Sequence, residues 1–268
     1  MRLMIKSCLV FALLVCSVAL QAAEQPIRSF QKILDSGELR VGVALFPPWV
    51  MRSKNGDLIG SEADIANKLA RDMELKPKYS VYQWNELIPA LEKGDIDIVI
   101  SGMAIQPDRA LRVKFSKPYA ENGIGMAANT QLTKNIKSLK EMKQAEINIG
   151  VVTGTMSEAV AKKAFEGATF KSFNSPEAAE EALLKGQLHA LVLSNPGPKF
   201  MVLKYPQKLD QPLVKPLMGL REAFAVNKAQ ADFLDYLNSW IYAREADGSL
   251  DVIRQYWFES LDWQGEVQ

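Results

Sequence analysis

From Ile27 onward the hydrophobic pattern switches repeatedly between two periods. Ile27–Leu34 predicts a short helix that ends at Ser36-Gly37. Leu39–Val43 is alternating and β-branched, the pattern of a strand. FPPW at Phe46–Trp49 and the Asn55-Gly56 turn interrupt the chain. In SEADIANKLARDM, Ala66, Leu69, Ala70 and Met73 recur at helical spacing, and Ser61 stands where an N-cap is expected. KPKYSVY predicts a strand, and NELIPALEKG a short helix with Leu87, Ile88 and Leu91 inward. Ile96–Ser101 is nearly continuous in apolar residues, as in a buried parallel strand.

The alternation restarts after a break carrying Gly123, Gly125 and Asn129. Ile147–Val152 predicts a strand, and TGTMSEAVAKKAF a turn that enters a helix. Ser175-Pro176 opens a further helix running to Lys185-Gly186. His189–Ser194 reads as another buried strand, Glu222–Lys228 as a strand, and Ala231–Ala246 as a long helix. The pattern is that of two α/β units. Ligands of open α/β sheets bind beyond the carboxyl ends of strands. That singles out Ser101-Gly102, Thr153-Gly154-Thr155 and Ser194-Asn195.

The first residues follow different rules. Arg2 and Lys6 precede an apolar run from Cys8 to Leu20, closed by Ala22 and Ala23. Residues 1–23 are expected to be a cleaved secretory signal peptide. The run is shorter than the roughly 20 residues a bilayer helix needs. Both cysteines, Cys8 and Cys16, lie inside it, which removes disulfides, thiol catalysis and Cys-ligated zinc from the mature chain. One histidine, His189, excludes a multi-His metal site, and it reads as an ordinary strand residue. No cofactor or metal is expected. A net charge of +1, from 32 basic and 31 acidic residues, carries no electrostatic footprint for nucleic acid or an anionic membrane. A periplasmic protein held together by core packing alone is expected.

Candidate chemistry gathers at the strand ends. Backbone N–H groups of Thr155, Met156 and Ser157 start a helix and suit a carboxylate or phosphate. Arg109 follows the Ile96–Ser101 strand. Its guanidinium either grips a carboxylate with two parallel hydrogen bonds or pairs on the surface with Asp108. Phe46 and Trp84 either offer flat faces to a ligand or pack as ordinary aromatics.

Taken together, ELRVGVALFPPW, GDLIGSEADIANKLA, NELIPALEKGDIDIVISGMAIQPDRALRVKFSKPY, IGVVTGTMSEA and LNSWIYAREADGSLDVIRQYW resemble the periplasmic polar amino-acid-binding proteins of ABC importers. The resemblance covers about Ile27–Phe258. It implies an α/β, two-lobed clamshell of type II with two hinge crossings. Residues 24–124 plus 220–268 would form one lobe and 125–219 the other. It implies a monomer that captures a small carboxylate ligand and delivers it to an ABC permease, with no catalytic residues.

By the same resemblance Arg109, helped by Met156 and Ser157, holds the ligand's α-carboxylate. Phe46 and Trp84 sandwich the ligand, while Ser101 and Gly102 receive its α-ammonium. Two positions depart from the family pattern. Ala104 replaces a Ser or Thr, and Ser194 replaces the aspartate that pairs with the ammonium. The missing countercharge favours a ligand whose ammonium is reduced or absent, unless another acid such as Glu158 or Asp97 substitutes. Periplasmic cyclohexadienyl dehydratases share the pattern, with Glu158 at the place of an acid they use. An accessory or sensor binding protein is a third reading.

Overall fold

The computed structural model describes residues 27–267; the expected signal peptide lies outside that range. Two mixed sheets organise the chain. The first orders Lys76–Val81, Glu38–Val43, Ile98–Val99, Ala225–Val226 and Lys114–Phe115. Its first three strands are parallel, and Ala225–Val226 runs antiparallel to both neighbours. The second orders Leu209–Asp210, Ala120–Asn129, Ala190–Ser194, Asn148–Val152 and Thr169–Phe173. Met218–Glu222 pairs with the Ala120–Asn129 strand as well.

Side-chain alternation lets each sheet bury both faces. In the second sheet Met126, Ile149, Val151 and Val192 face the helix Met156–Ala164 through Ala161 and Phe165. Ala127, Leu191 and Leu193 face the helices Pro176–Leu184 and Gly197–Lys204 through Ala179, Leu183 and Met201. In the first sheet Val41, Ile98 and Phe224 meet Ile65, Leu69, Phe233 and Leu237, from the helices Ser61–Asp72 and Ala231–Ala246. Leu87, Leu91 and Val99 fill the opposite face. Phe165, Phe224 and Phe233 are fully buried, each worth about 1.5–3 kcal/mol of transfer free energy.

Several local expectations need correction. The helix of residues 61–72 is capped by Gly60, with no side-chain cap bond, and the buried Ser61 hydroxyl finds no partner. The Ile96–Ser101 run pairs in the ladder only at Ile98–Val99. The predicted 222–228 strand is divided: Glu222 ends a strand of the second sheet, and only Ala225–Val226 enters the first. The interval around Gly123 and Gly125, read as a break, is the ten-residue strand Ala120–Asn129. Thr169–Phe173 and the helix Gly197–Lys204 escaped the pattern altogether.

Two extended segments run from one sheet to the other side by side. Ala120 pairs with Glu222 and Ile124 with Met218. Beyond that ladder, Tyr119 N–H donates to the Glu222 carbonyl at 3.0 Å, and Ile105 N–H to the Arg221 carbonyl at 2.8 Å. The expected lobe limits, 124/125 and 219/220, fall within these two strands.

Candidate ligand-binding site

The parallel strands of both sheets end at one cleft of about 640 Å³. Glu38–Val43 leads into Phe46, Lys76–Val81 into Trp84, and Ile98–Val99 into Ser101 and Gly102. On the other side Asn148–Val152 leads to Met156, and Ala190–Ser194 ends at Ser194 itself. Ala104 and Arg109 complete the expected residues that line the cleft. Thr155 and Ser157 belong to the same helix start but do not line it.

Arg109 is half-buried in the four-residue helix Pro107–Ala110. Its Nη1 donates to the Ala104 carbonyl at 3.0 Å, and its guanidinium lies 5.5 Å from the centre of the Trp84 ring. Among the described residues no ion pair forms between Arg109 and Asp108. Burial lowers the Arg109 pKa from its ordinary value, with Asp108 pulling it back; the group stays cationic. The guanidinium keeps donors directed at the cleft without a carboxylate to receive them.

Phe46 is 54% exposed, Trp84 41% and Met156 50%. Large apolar side chains left exposed together in a concavity mark a binding surface. Phe46 also stacks on Trp49 with ring centres 4.9 Å apart. Behind them lies the buried Ser101 hydroxyl. It accepts the Ala44 N–H at 2.9 Å and so ties two strand ends together. Gly102 has φ +63°, and a Cβ there would lie 2.3 Å from Cδ1 of Trp49. Only glycine both adopts that conformation and lets the indole come so close.

Across the cleft, Ser157 is buried and its Oγ lies 3.4 Å from Ser194 Oγ, so the helix start and the strand end touch. Thr155 Oγ1 donates to the Val152 carbonyl at 2.7 Å and accepts Glu158 N–H at 3.2 Å. It is a helix cap. Neither acid weighed as a substitute countercharge reaches the cleft. Asp97 is bound by Arg28 and Arg40, and Glu158 accepts from Lys162 Nζ and Gly154 N–H, each at 2.8 Å. The Lys162 bond holds Glu158 below the usual carboxylate range.

Asn195, flagged with the Ser194 strand end, lines the cleft too, and three other lining residues were missed by sequence reasoning: Trp49, Asn122 and Glu222. Glu222 is buried, and receives Trp49 Nε1–H at 3.0 Å and Asn122 Nδ2–H at 3.1 Å. Beside it, fully buried Glu62 accepts the Tyr119 hydroxyl at 2.5 Å. Desolvation raises the pKa of both acids, and the charge of Glu222 adds to the effect on Glu62, which is pushed up to about 8. The available signal for Glu222 is an acid at the edge of the apolar run AFAV. His189 is structural, accepting Asn148 N–H at Nδ1.

The family model for bacterial extracellular solute-binding proteins, family 3, matches residues 39–260. The chain belongs to that family. The L-arginine-binding protein of Pseudomonas aeruginosa is 27% identical over 95% of this chain and 95% of its own length. A binding component of an ABC transporter from Wolinella succinogenes, solved with lysine, is 32% identical, with a TM-score of 0.67. That match covers 85% of this chain and 99% of the other. An ancestral cyclohexadienyl dehydratase shares the fold at 23% identity and a TM-score of 0.66, covering 85% of this chain and 95% of its own. The two-lobed α/β clamshell is the architecture of this family, and the strand ends described above are where its lobes face each other.

Proposed function

We propose that this protein is a monomeric periplasmic receptor that captures an amino acid and hands it to an ABC permease. Its lobes divide within the two crossing strands, at 124/125 and 219/220. One observation carries the reading: a half-buried Arg109, without a carboxylate partner, facing a cleft walled by exposed Phe46, Trp84 and Met156. A guanidinium in that setting suits a bidentate carboxylate, and the aromatic faces suit a small organic body. The relatives named for arginine and the one solved with lysine support an amino acid as the class. A dehydratase is disfavoured because Glu158 lies outside the cleft lining and is held ionised by Lys162, the wrong state for a general acid.

The test is a thermal-shift screen against the twenty L-amino acids, L-cystine and the matching 2-oxo acids, followed by calorimetry on Arg109→Ala. A tight ligand raises the melting temperature by mass action. One or a few amino acids should do so. Arg109→Ala should remove the binding, at a cost of about 2–5 kcal/mol, and leave the unliganded melting temperature nearly unchanged. No shift with any compound, or an unaltered affinity in the variant, would sink the reading.

A further inference from the structure

Two carboxylates line the cleft. Glu86 is exposed and already closes a capping box by accepting Gln83 N–H at 3.0 Å. Glu222 is different: it is only 5% exposed, and its partners, Trp49 and Asn122, are both neutral. Its chain neighbour Arg221 pairs with Glu121 instead. None of the ion pairs among the described residues includes Glu222. A buried carboxylate with no cation beside it is costly. Two donors also leave part of its acceptor capacity unused.

Asn195 also lines the cleft, and its Oδ1 is buried and has no donor. It lies against Gly125, where a Cβ would come within 2.1 Å of it. The cleft thus holds surplus acceptor capacity at Glu222 and surplus donors at Arg109. Ala104 stands between the two ends. Its carbonyl takes the Arg109 guanidinium, and its backbone bridges to Glu222. Opposite charges so close together suit a small ligand that carries both.

We propose that Glu222 is the acceptor for the ammonium of the bound ligand, so that the cleft selects α-amino acids over their 2-oxo counterparts. This rests on the carboxylate being held at Arg109. It also accounts for the neutral Ser194: the countercharge expected there is supplied from the crossing strand. Burial raises the pKa of Glu222, and a cation beside the carboxylate offsets that effect.

Calorimetry on wild type and Glu222→Gln tests this, using the L-amino acid that gives the largest thermal shift and the 2-oxo acid of the same side chain. Wild type should bind the amino acid roughly 30-fold or more tightly than the oxo acid. Glu222→Gln should lose a similar factor for the amino acid and keep or improve its affinity for the oxo acid. Circular dichroism establishes that the variant is folded, and the wild-type comparison needs no variant. Equal affinity of wild type for both compounds, or an undiminished preference in folded Glu222→Gln, overturns the assignment of Glu222 and leaves the carboxylate receptor standing. If wild type binds neither class, the receptor reading falls and this assignment falls with it.

Discussion

Gly102 determines how Trp49 meets the floor of the cleft. Any side chain at φ +63° is strained, and here a Cβ would also collide with the indole. Gly102→Ala should therefore cost about 1–2 kcal/mol from the backbone alone, plus the displacement of Trp49. The Trp49–Glu222 hydrogen bond would go with it. Chemical denaturation and binding calorimetry should show both stability and affinity falling; an unchanged variant would contradict the packing argument. Glu62 makes a second prediction, on pH. Its folded pKa of about 8, against an ordinary value of 4.5, means that the native state keeps a proton that the unfolded chain has lost. Stability should fall as pH rises through that window. Thermal melts from pH 5 to pH 9 should show the decline in wild type and a shallower one in Glu62→Gln, with buried Glu222 contributing the remainder.

At the scale of elements, the helix Met156–Ala164 shows how one motif divides its labour. TGTMSEA was legible as a helix start facing a ligand, but not which residue would face it. Met156 reaches the cleft, Ser157 turns inward to Ser194, and Thr155 caps the helix. Thr155→Ala should therefore cost about 0.5–2 kcal/mol of stability, the usual loss of a cap. Thermal melts would measure this, and a loss of ligand affinity far beyond it would make Thr155 a ligand contact after all. The strand Ala120–Asn129 was illegible for a related reason. Glycine within a strand usually signals a weak point, whereas here Gly125 makes room for the Asn195 side chain.

Across the whole molecule, contacts away from the cleft join elements packed on the two sheets. Lys199 Nζ lies 2.9 Å from Glu259, and the rings of Phe200 and Trp263 are 5.6 Å apart. Lys199 and Phe200 sit on the helix Gly197–Lys204, which packs on the second sheet, while Trp263 packs with Met51 and Trp257. These contacts coexist with exposed cleft walls, and a closure that breaks them would be helped by removing one. Phe200→Ala should shift the population towards closure and raise the affinity for the amino acid found by the screen, although Phe200 is absent from the cleft lining. Small-angle scattering of wild type should show compaction at saturating amino acid. Identical curves with and without it would remove the closing clamshell, and weaker binding by Phe200→Ala would reverse the assigned bias.

The sequence by itself determined the α/β alternation and the strand ends where ligand chemistry gathers, and it offered Arg109, Phe46, Trp84 and Met156 only as candidates, each with an ordinary reading beside it. Those features are local: periodicity, turn residues and short motifs act within a few positions of one another. The family resemblance added the clamshell, the expectation that these candidates form one site, and their roles in it. Tertiary structure alone decided the anionic side of the cleft. Glu222 is 173 residues from Trp49 and 100 from Asn122, the two donors that hold it. The apolar run AFAV beside position 222 hints at its burial, but no local pattern encodes the absence of a cation beside it. Both arise where the crossing strands bring distant segments together, and desolvation depends on everything packed around a group, not on its neighbours in the chain.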